Sequence, residues 1–494
     1  MDRSRADDSR DLAGFGYRQE LDRTLGRFSS FAAGFSYISI LTGLFQTFYL
    51  GYGAGGAVFI WTWPMVLAGQ CLVALVFAEL AAHYPLSGGA YQWSKLVGSP
   101  FLGWMVGWVY LACLIVTLAA VALALQSAAP QVSGIFQLVG RASDPHDSAV
   151  NAVVLGCALV LVTTLLNAVG VRILARVNNA GVFGELVGVV VLIVWLALHA
   201  RRSPAAIAFP TAVRGGGAAL AGPFLASAAL TASYVLYGFD TAGSLAEETA
   251  DPRRTAPRAI LQALGTAGVL GFVLLIVALM AAADPASSAL GRIDGGLPSI
   301  VTGALGDTFG RVLLCDVLFA ILVCALAVHA GAVRLVFAMA RDGQLPFAPA
   351  LARVSPAFRT PIAPAVVVGV LAILVLVVNV NLPKIVELVT MVAVLWANLA
   401  YLLVGAGMLW RRRKPWPPRG DAPRGLFSLG RLGVPINAAA VAWSTFMIVN
   451  VGWPRAATYG PSWQHRFAPI LLTLALLAAG AAVHAALDKI LDIQ

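Results

Sequence analysis

Apolar stretches of about twenty residues recur along the chain, parted by short polar or Gly- and Pro-bearing segments. A helix needs roughly 20 largely apolar residues to cross a bilayer. Stretches of that kind run over 28–50, 57–81, 101–127, 150–170, 178–199, 219–245, 258–283, 308–340, 362–381, 385–410, 433–453 and 467–487. The pattern predicts an all-α integral membrane protein of about twelve transmembrane helices. Gly and Pro within some stretches fit this reading, because neighbouring helices can re-satisfy the backbone. The opening MDRSRADDSRD is polar and no apolar run precedes Phe28. It predicts no cleavable leader, so the first apolar stretch is itself the first span.

Composition supports the pattern. Of 494 residues, 59% are hydrophobic and 11% charged, against roughly 25% charged in soluble proteins. Lipid is the solvent that suits such a chain. The net charge of +10 does not point to nucleic acid, because the basic residues form short clusters between apolar stretches instead of one binding face. With the N-terminus cytoplasmic, segments facing inward hold 23 of the 33 Lys and Arg, outer loops hold 9, and Arg334 lies within a span. Inward-facing basic residues include Arg3, Arg5, Arg10, Lys95, Arg172, Arg253 and the run RRRKPWPPRG at 411–420; outer ones include Arg214, Lys384 and Arg455. The excess predicts both termini inside. The Ala- and Arg-rich usage fits a GC-rich bacterium, hence its inner (plasma) membrane. Cys71, Cys113, Cys157, Cys315 and Cys324 lie in apolar stretches at irregular spacing and read as core residues, not disulfides or metal ligands.

Two spans look interrupted. The first reads FSSFAAGFSYISILTGLFQTFYLGYGAGG, with Ser36, Ser39 and Thr42 polar and Gly34 and Gly43 permissive. The sixth reads ASYVLYGFDTAGSLAEET, with Gly238 and Asp240 in mid-segment. Interrupted spans at matching places in two halves point to a transporter site. Because the two lie five spans apart, an odd number, the halves have inverted orientations. This predicts a cytoplasmic segment at 1–27, one repeat at 28–200 and a second at 219–410. A basic cytoplasmic loop at 411–432 and two further spans in 433–494 complete the chain. An interrupted helix offers backbone N–H groups to a carboxylate and freed carbonyls to an ammonium or coupling cation. The same glycines would also serve close helix packing.

Ionisable residues at membrane depth are functional candidates. They are Asp240 in the sixth span, Glu185 in the fifth, and Asp316, His329 and Arg334 in the eighth. Glu79, Glu247 and Glu248 lie near inner ends and read as gate or interface groups; Glu387 lies near the outer end of the tenth span.

Four segments make the chain resemble the amino acid–polyamine–organocation superfamily, in its amino acid permease branches. They are AELAAHYPLSGGAYQW (78–93), GVRILARVNN (170–179), YGFDTAGSLAEETADPRRTAPRAI (237–260) and VRLVFAMARDGQLP (333–346). The resemblance, over about 22–410, implies a leucine-transporter-like inverted repeat of five plus five spans with two peripheral helices. It implies alternating access around a site built by spans one, three, six and eight. By position it assigns substrate binding to Ser39, Ile40, Leu41, Thr42, Gly43, Tyr237, Gly238, Phe239 and Asp240, with Tyr237 or Phe239 occluding. It ties Glu79, Glu247 and Arg334 to architecture and gating. Leu41 stands where many relatives have the first glycine of a Gly-x-Gly break. FSYISILTGL is similar to the branch of choline and γ-aminobutyrate permeases, which moves the expected substrate toward amines and ω-amino acids. Some proton-coupled relatives carry lysine where this chain has Glu185. A carboxyl withdrawn from water can take up and release a proton near neutral pH, so Glu185 is expected to take part in coupling. Pairing with a cationic substrate or with Arg334, or a hydrogen bond between helices, would be its other uses.

These features predict a proton-coupled importer of an amino acid or amine, with the lipid bilayer as its surroundings and no cofactor, metal or nucleic acid. An exchanger, a sodium-coupled carrier and a non-transporting nutrient sensor are the alternatives. An enzyme is disfavoured, since no nucleophile, base and metal constellation stands out.

Overall fold

The computed structural model describes residues 12–141, 144–204, 216–284, 287–292, 295–378, 380, 385–417 and 425–491. Arg3, Arg5, Arg10, Arg214, Lys384, Arg419 and Arg424, counted above, lie outside them. The described secondary structure is helical except for one isolated bridge, between Leu25 and Thr249. In chain order the main helices are α1 (Arg27–Ile38), α2 (Ile40–Gly55), α3 (Thr62–His83), α4 (Ala90–Val97), α5 (Pro100–Leu123), α6 (Pro145–Val169) and α7 (Val171–Leu198). They continue with α8 (Ala221–Val235), α9 (Thr241–Ser244), α10 (Pro252–Ala281), α11 (Gly296–Arg341), α12 (Ile362–Val378), α13 (Ile385–Arg411), α14 (Gly433–Gly452) and α15 (Trp463–Leu491).

Among the described residues, nine helical stretches are long and apolar enough to cross a membrane. This is a multi-pass membrane protein. The first stretch, Arg27–His83, has 57 residues. At about 1.5 Å per residue it is far too long for one crossing, and it takes in two of the stretches expected from sequence. Three apolar helices are shorter: Ala221–Val235, Gly296–Gly306 and Ile362–Val378. Local chemistry sets many ends. Ser99 accepts from Leu102 N–H at 3.1 Å just before Pro100, and the Asp144 carboxylate accepts from His146 and Asp147 N–H groups before Pro145, both ordinary N-caps followed by proline. Gly170, at φ 134°, parts α6 from α7.

The core joins α1, α2, α5, α8, α11 and α13. Helix α2 meets α8 through small residues. Thr231 Oγ1 donates to Thr47 O at 2.7 Å, and Ser227 Oγ donates to Gly51 O at 3.1 Å. A Cβ at Gly51 or Gly55 would overlap these hydroxyls, so the two interrupted segments lie nearly backbone to backbone. Almost nothing of α15 is buried, which puts it at the periphery.

Candidate functional site

Helix α1 stops at Ile38 and α2 starts at Ile40; between them Ser39 has φ 32° and ψ 96°. A non-glycine residue at positive φ is strained and is held there by its surroundings. Part of that hold is local: Ser39 Oγ accepts from Thr42 N–H at 3.3 Å, and its carbonyl accepts from Gly43 N–H at 2.9 Å. The rest comes from α7. Glu185 Oε1 accepts from the Ser39 hydroxyl at 2.9 Å and from Leu41 N–H at 3.1 Å. The protein's own carboxylate thus caps the half-helix terminus that sequence reasoning offered to a substrate carboxylate. Glu185 is buried, and its second oxygen has no hydrogen-bond partner. Ile40 and Leu41 are also buried; the bond to Glu185 uses only the backbone N–H of residue 41, which leucine offers as a glycine would.

The second break covers Leu236 to Asp240, between α8 and α9. Gly238 has φ 87°, and a Cβ there would lie within the ring of Tyr37. Its N–H donates to the Tyr401 hydroxyl at 2.9 Å, which donates in turn to Asp240 Oδ1 at 2.7 Å. The Tyr110 hydroxyl lies 2.7 and 2.8 Å from the two Asp240 oxygens. Asp240 is therefore clamped by tyrosines from α5 and α13. Thr117 Oγ1 donates to Cys113 O at 2.7 Å, so at the 2.7 Å contact between Thr117 and Tyr237 the tyrosine is the donor. Phe239 packs on Phe77 and Tyr401.

Between the breaks lies a closed cavity of about 10 Å³, roughly the room of one water. Tyr37, Thr42 and Gly43 line it from the first segment, Thr117 from α5, Tyr234 and Tyr237 from the second break and Cys324 from α11. The Tyr37 hydroxyl is buried without a partner, a costly state for a polar group. Of the two aromatics considered for occlusion, Tyr237 faces the cavity while Phe239 backs the loop. Sequence reasoning missed Tyr37, Tyr234, Thr117, Tyr110, Tyr401 and Cys324. Tyr234 and Tyr237 carried a readable signal, being polar aromatics three apart beside a glycine; Tyr110 and Tyr401 sit in apolar runs like any interfacial aromatic.

The acidic residues assigned to gating lie at one end of the bundle, each with a cation. Arg334 donates to Glu248 at 2.9 and 3.2 Å and to Asn167 at 3.4 Å, so it pairs with Glu248 and not with Glu185. Arg341 donates to Glu247 at 2.8 and 2.9 Å, and Glu247 also accepts from Ser87 N–H at 2.9 Å. Glu79 holds Arg412 of the basic run, together with the Ser428 hydroxyl and Leu429 N–H. Residues 12–26 cross this end as a strap. Leu25 N–H donates to Glu248 O, and Ala250 N–H donates to Leu25 O, each at 2.9 Å. Tyr17 donates to Asp342 at 2.8 Å and lies 4.0 Å beneath the Arg341 guanidinium. His329 is bound on both ring nitrogens, to Thr163 and to Ala365 O at 3.0 Å each. Glu387 lines a wide cavity of about 900 Å³ at the opposite end, with Tyr49, Trp453 and Arg455.

Comparison with known proteins adds a family. The model described as "Amino acid permease" matches residues 25–476. The chain is 26% identical to amino-acid permease BAT1 of Arabidopsis thaliana, over 90% of this chain and 88% of that one. It is 27% identical to amino-acid permease 2 of Neurospora crassa, over 90% and 81%, and 26% identical to the thiamine transporter thi9 of Schizosaccharomyces pombe, over 94% and 84%.

Proposed function

The chain belongs to the amino acid permease family, and from that premise we propose that it is a secondary transporter importing an amino acid or related amine, such as γ-aminobutyrate, coupled to protons. In this reading it crosses the inner (plasma) membrane twelve times, with both termini cytoplasmic. The repeats are 28–200 and 219–410, the loop 411–432 is cytoplasmic, and the last two spans are peripheral. The strap and its acid–base pairs close the inner side; the wide cavity at Glu387 is the outer vestibule. Relatives named as amino-acid permeases support the substrate class, and a thiamine transporter among them fits a family that also handles organic cations.

The observation that carries the coupling is Glu185, buried and without a cationic partner among the described residues, with its carboxylate on the Ser39 hydroxyl and the Leu41 N–H. An ionised carboxylate interacts favourably with a helix N-terminus, a neutral one much less. Proton uptake at Glu185 loosens its hold on the break and frees those donors for the carboxylate of an amino acid. Tyr37, Tyr234 and Tyr237 then present ring faces and hydroxyls to the ammonium end, as cation–π partners do. Substrate carboxylate and ionised Glu185 compete for the same donors, so binding of one proton favours binding of one substrate. Ser39 through Gly43 and Tyr237 through Asp240 form the site in this scheme, with Asp240 and Phe239 shaping the second break. Glu79, Glu247 and Arg334 hold the inner closure.

The test is uptake into proteoliposomes of a labelled panel: γ-aminobutyrate, choline, putrescine, and neutral, acidic and basic amino acids, each with and without an imposed pH gradient. Saturable accumulation of one class that collapses with a protonophore is expected, and Glu185→Gln should bring it down to the gradient-free level. Accumulation driven by a sodium gradient, or only by preloaded substrate, would replace the proton reading by a sodium carrier or an exchanger. Proton-driven accumulation that persists in Glu185→Gln would remove Glu185 from the coupling.

A further inference from the structure

Asp316 is the one carboxyl named at membrane depth that neither the two breaks nor the inner pairs use. It lies on α11, partly buried, and its Oδ2 is buried with no hydrogen-bond partner. Its position follows from the seam between α7 and α11. On α7, Gly181, Glu185 and Gly188 share one face, as do Asp316, Ala320 and Val323 on α11, each by the i, i+4, i+7 rule. The contacts fix an antiparallel register. A Cβ on Gly181 would strike Val323, and one on Gly188 would overlap the Asp316 carboxylate. Glu185 therefore lies one helical turn from Gly188 and its acidic neighbour, opposite the turn that carries Ala320. Gly184 and Gly188 face Asp316, and with Ala320 they keep bulk out of the turn between the carboxyls. Each carboxyl retains one oxygen without a partner, Glu185 Oε2 and Asp316 Oδ2.

We propose that Asp316 and Glu185 form a two-carboxyl proton relay along the α7–α11 seam, with Asp316 passing protons between the outer side and Glu185. The inference rests on the proton-coupled reading above and deepens it. In the inward step the Asp316 carboxyl gives its proton to the Glu185 carboxylate, and Asp316 is reprotonated from the outer water. The two oxygens are not bonded to each other, so the proton crosses through one water between them: the O–H bond at Asp316 breaks as one forms on the water, the water gives up a proton to Glu185, and net charge on the pair is unchanged. Protons thus travel by the seam while substrate enters through the vestibule lined by α2, α8 and α14.

The groups around the pair leave the exchange to these two carboxyls. Helix α11 sets Cys324 near Glu185 besides Asp316. The broken first segment presents Ser39, Thr42 and amide groups. Helix α10 also packs on α7, and its charges, Arg253, Arg254 and Arg258, lie at its inner end; α6 carries His146 and Asp147 at its outer end.

The experiment reconstitutes the full chain and its Asp316→Asn, Asp316→Glu and Gly188→Ala variants, with the solute panel above. Proton entry is followed by a pH dye trapped inside, and counterflow exchange without a pH gradient serves as the control for a folded, working site. Asp316→Asn is expected to keep counterflow but to slow proton-driven uptake at neutral external pH. The slowing should be about a hundredfold, the lower end of what a positioned acid–base group supplies, with recovery as the outside is acidified. Gly188→Ala, which displaces the carboxyl without removing it, should slow uptake in the same way, and Asp316→Glu should restore part of the rate. Wild-type accumulation by Asp316→Asn at every external pH overturns the relay and leaves coupling at Glu185 standing. Loss of counterflow in Asp316→Asn and Asp316→Glu alike makes the residue structural and also overturns it. A wild-type protein indifferent to the pH gradient removes the coupling reading and the relay together.

Discussion

Ser39 is the residue on which the first break turns, because its positive φ is imposed by bonds on both sides of it. Replacing it by alanine keeps the strain and removes the hydroxyl that caps Thr42 and meets Glu185. Loss of an N-cap costs about 1 kcal/mol, and the buried carboxylate loses one of its two donors at about 1–3 kcal/mol more. Thermal unfolding in detergent should register a fall of that order in Ser39→Ala, with Ser39→Gly falling less because glycine relieves the backbone. Gly238 is more restrictive. At φ 87° and with the Tyr37 ring where a Cβ would go, Gly238→Ala should abolish uptake while leaving membrane insertion intact on a blot. These residue types were legible in the sequence, although the same small residues also serve close helix packing. The partner of each was not. Glu185 lies 146 residues from Ser39 in the chain, and Tyr401 lies 161 from Asp240. No local pattern records such pairings, so the two tyrosines that hold Asp240 were not legible.

Helices repeat the lesson in another form. A twenty-residue window finds apolar length but not where a helix bends or overruns. The first span, read as 28–50, is two helices reaching Gly55, and the eighth, read as 308–340, belongs to a helical run beginning at Gly296 with a non-helical Gly306 inside it. Arg334 and Glu248 were both noted, yet their pairing needs α11 and the exit of the second break to meet. The pair is buried on both sides, with 1% and 0% of the side chains exposed. Removing one member of a buried pair strands the other charge, at about 3–5 kcal/mol. Arg334→Met should therefore lower the unfolding midpoint sharply, and the double variant Arg334→Met/Glu248→Leu should recover much of it, as a thermal-shift series would show. The strap contacts behave differently with pH. Burial, then the Asp342 carboxylate, raises the Tyr17 hydroxyl above its usual range. For Lys95, burial acts to lower the ammonium, but Asp342 at 2.7 Å outweighs it and the net shift is upward. A raised ammonium stabilises the closed strap fully below its ordinary value of about 10.4 and fades only as pH climbs through the folded value. Both groups hold their protons through the physiological range, so Tyr17→Phe should leave the pH profile of uptake unaltered.

At the scale of the whole molecule the closures are unequal. The central cavity holds about 10 Å³ while the cavity at Glu387 holds about 900 Å³, and at the opposite end of the bundle stand three buried acid–base pairs and the strap. In the proposed reading this is an occluded carrier whose inner side is the more firmly shut. On the proposed reading, opening inward breaks the Tyr17 bond to Asp342 and the contact of Arg341 with the Tyr17 ring. Together they hold the closed form by about 2 kcal/mol, taking the low end of a charged hydrogen bond and an exposed cation–π contact. Tyr17→Ala should therefore raise the inward-open population about thirtyfold. Cys324 is buried and lines the cavity, so it reports that opening directly. In a variant whose other four cysteines are replaced by serine or alanine, an impermeant maleimide added to inside-out vesicles should label Cys324 slowly when Tyr17 is present and much faster in Tyr17→Ala. The same reagent added to right-side-out vesicles should label it more slowly in Tyr17→Ala than with Tyr17 present, because a population drawn to the inward-open form is drawn away from the outward one. Equal acceleration from both sides would mean that the strap supports the fold at large, and that alternating access is governed elsewhere.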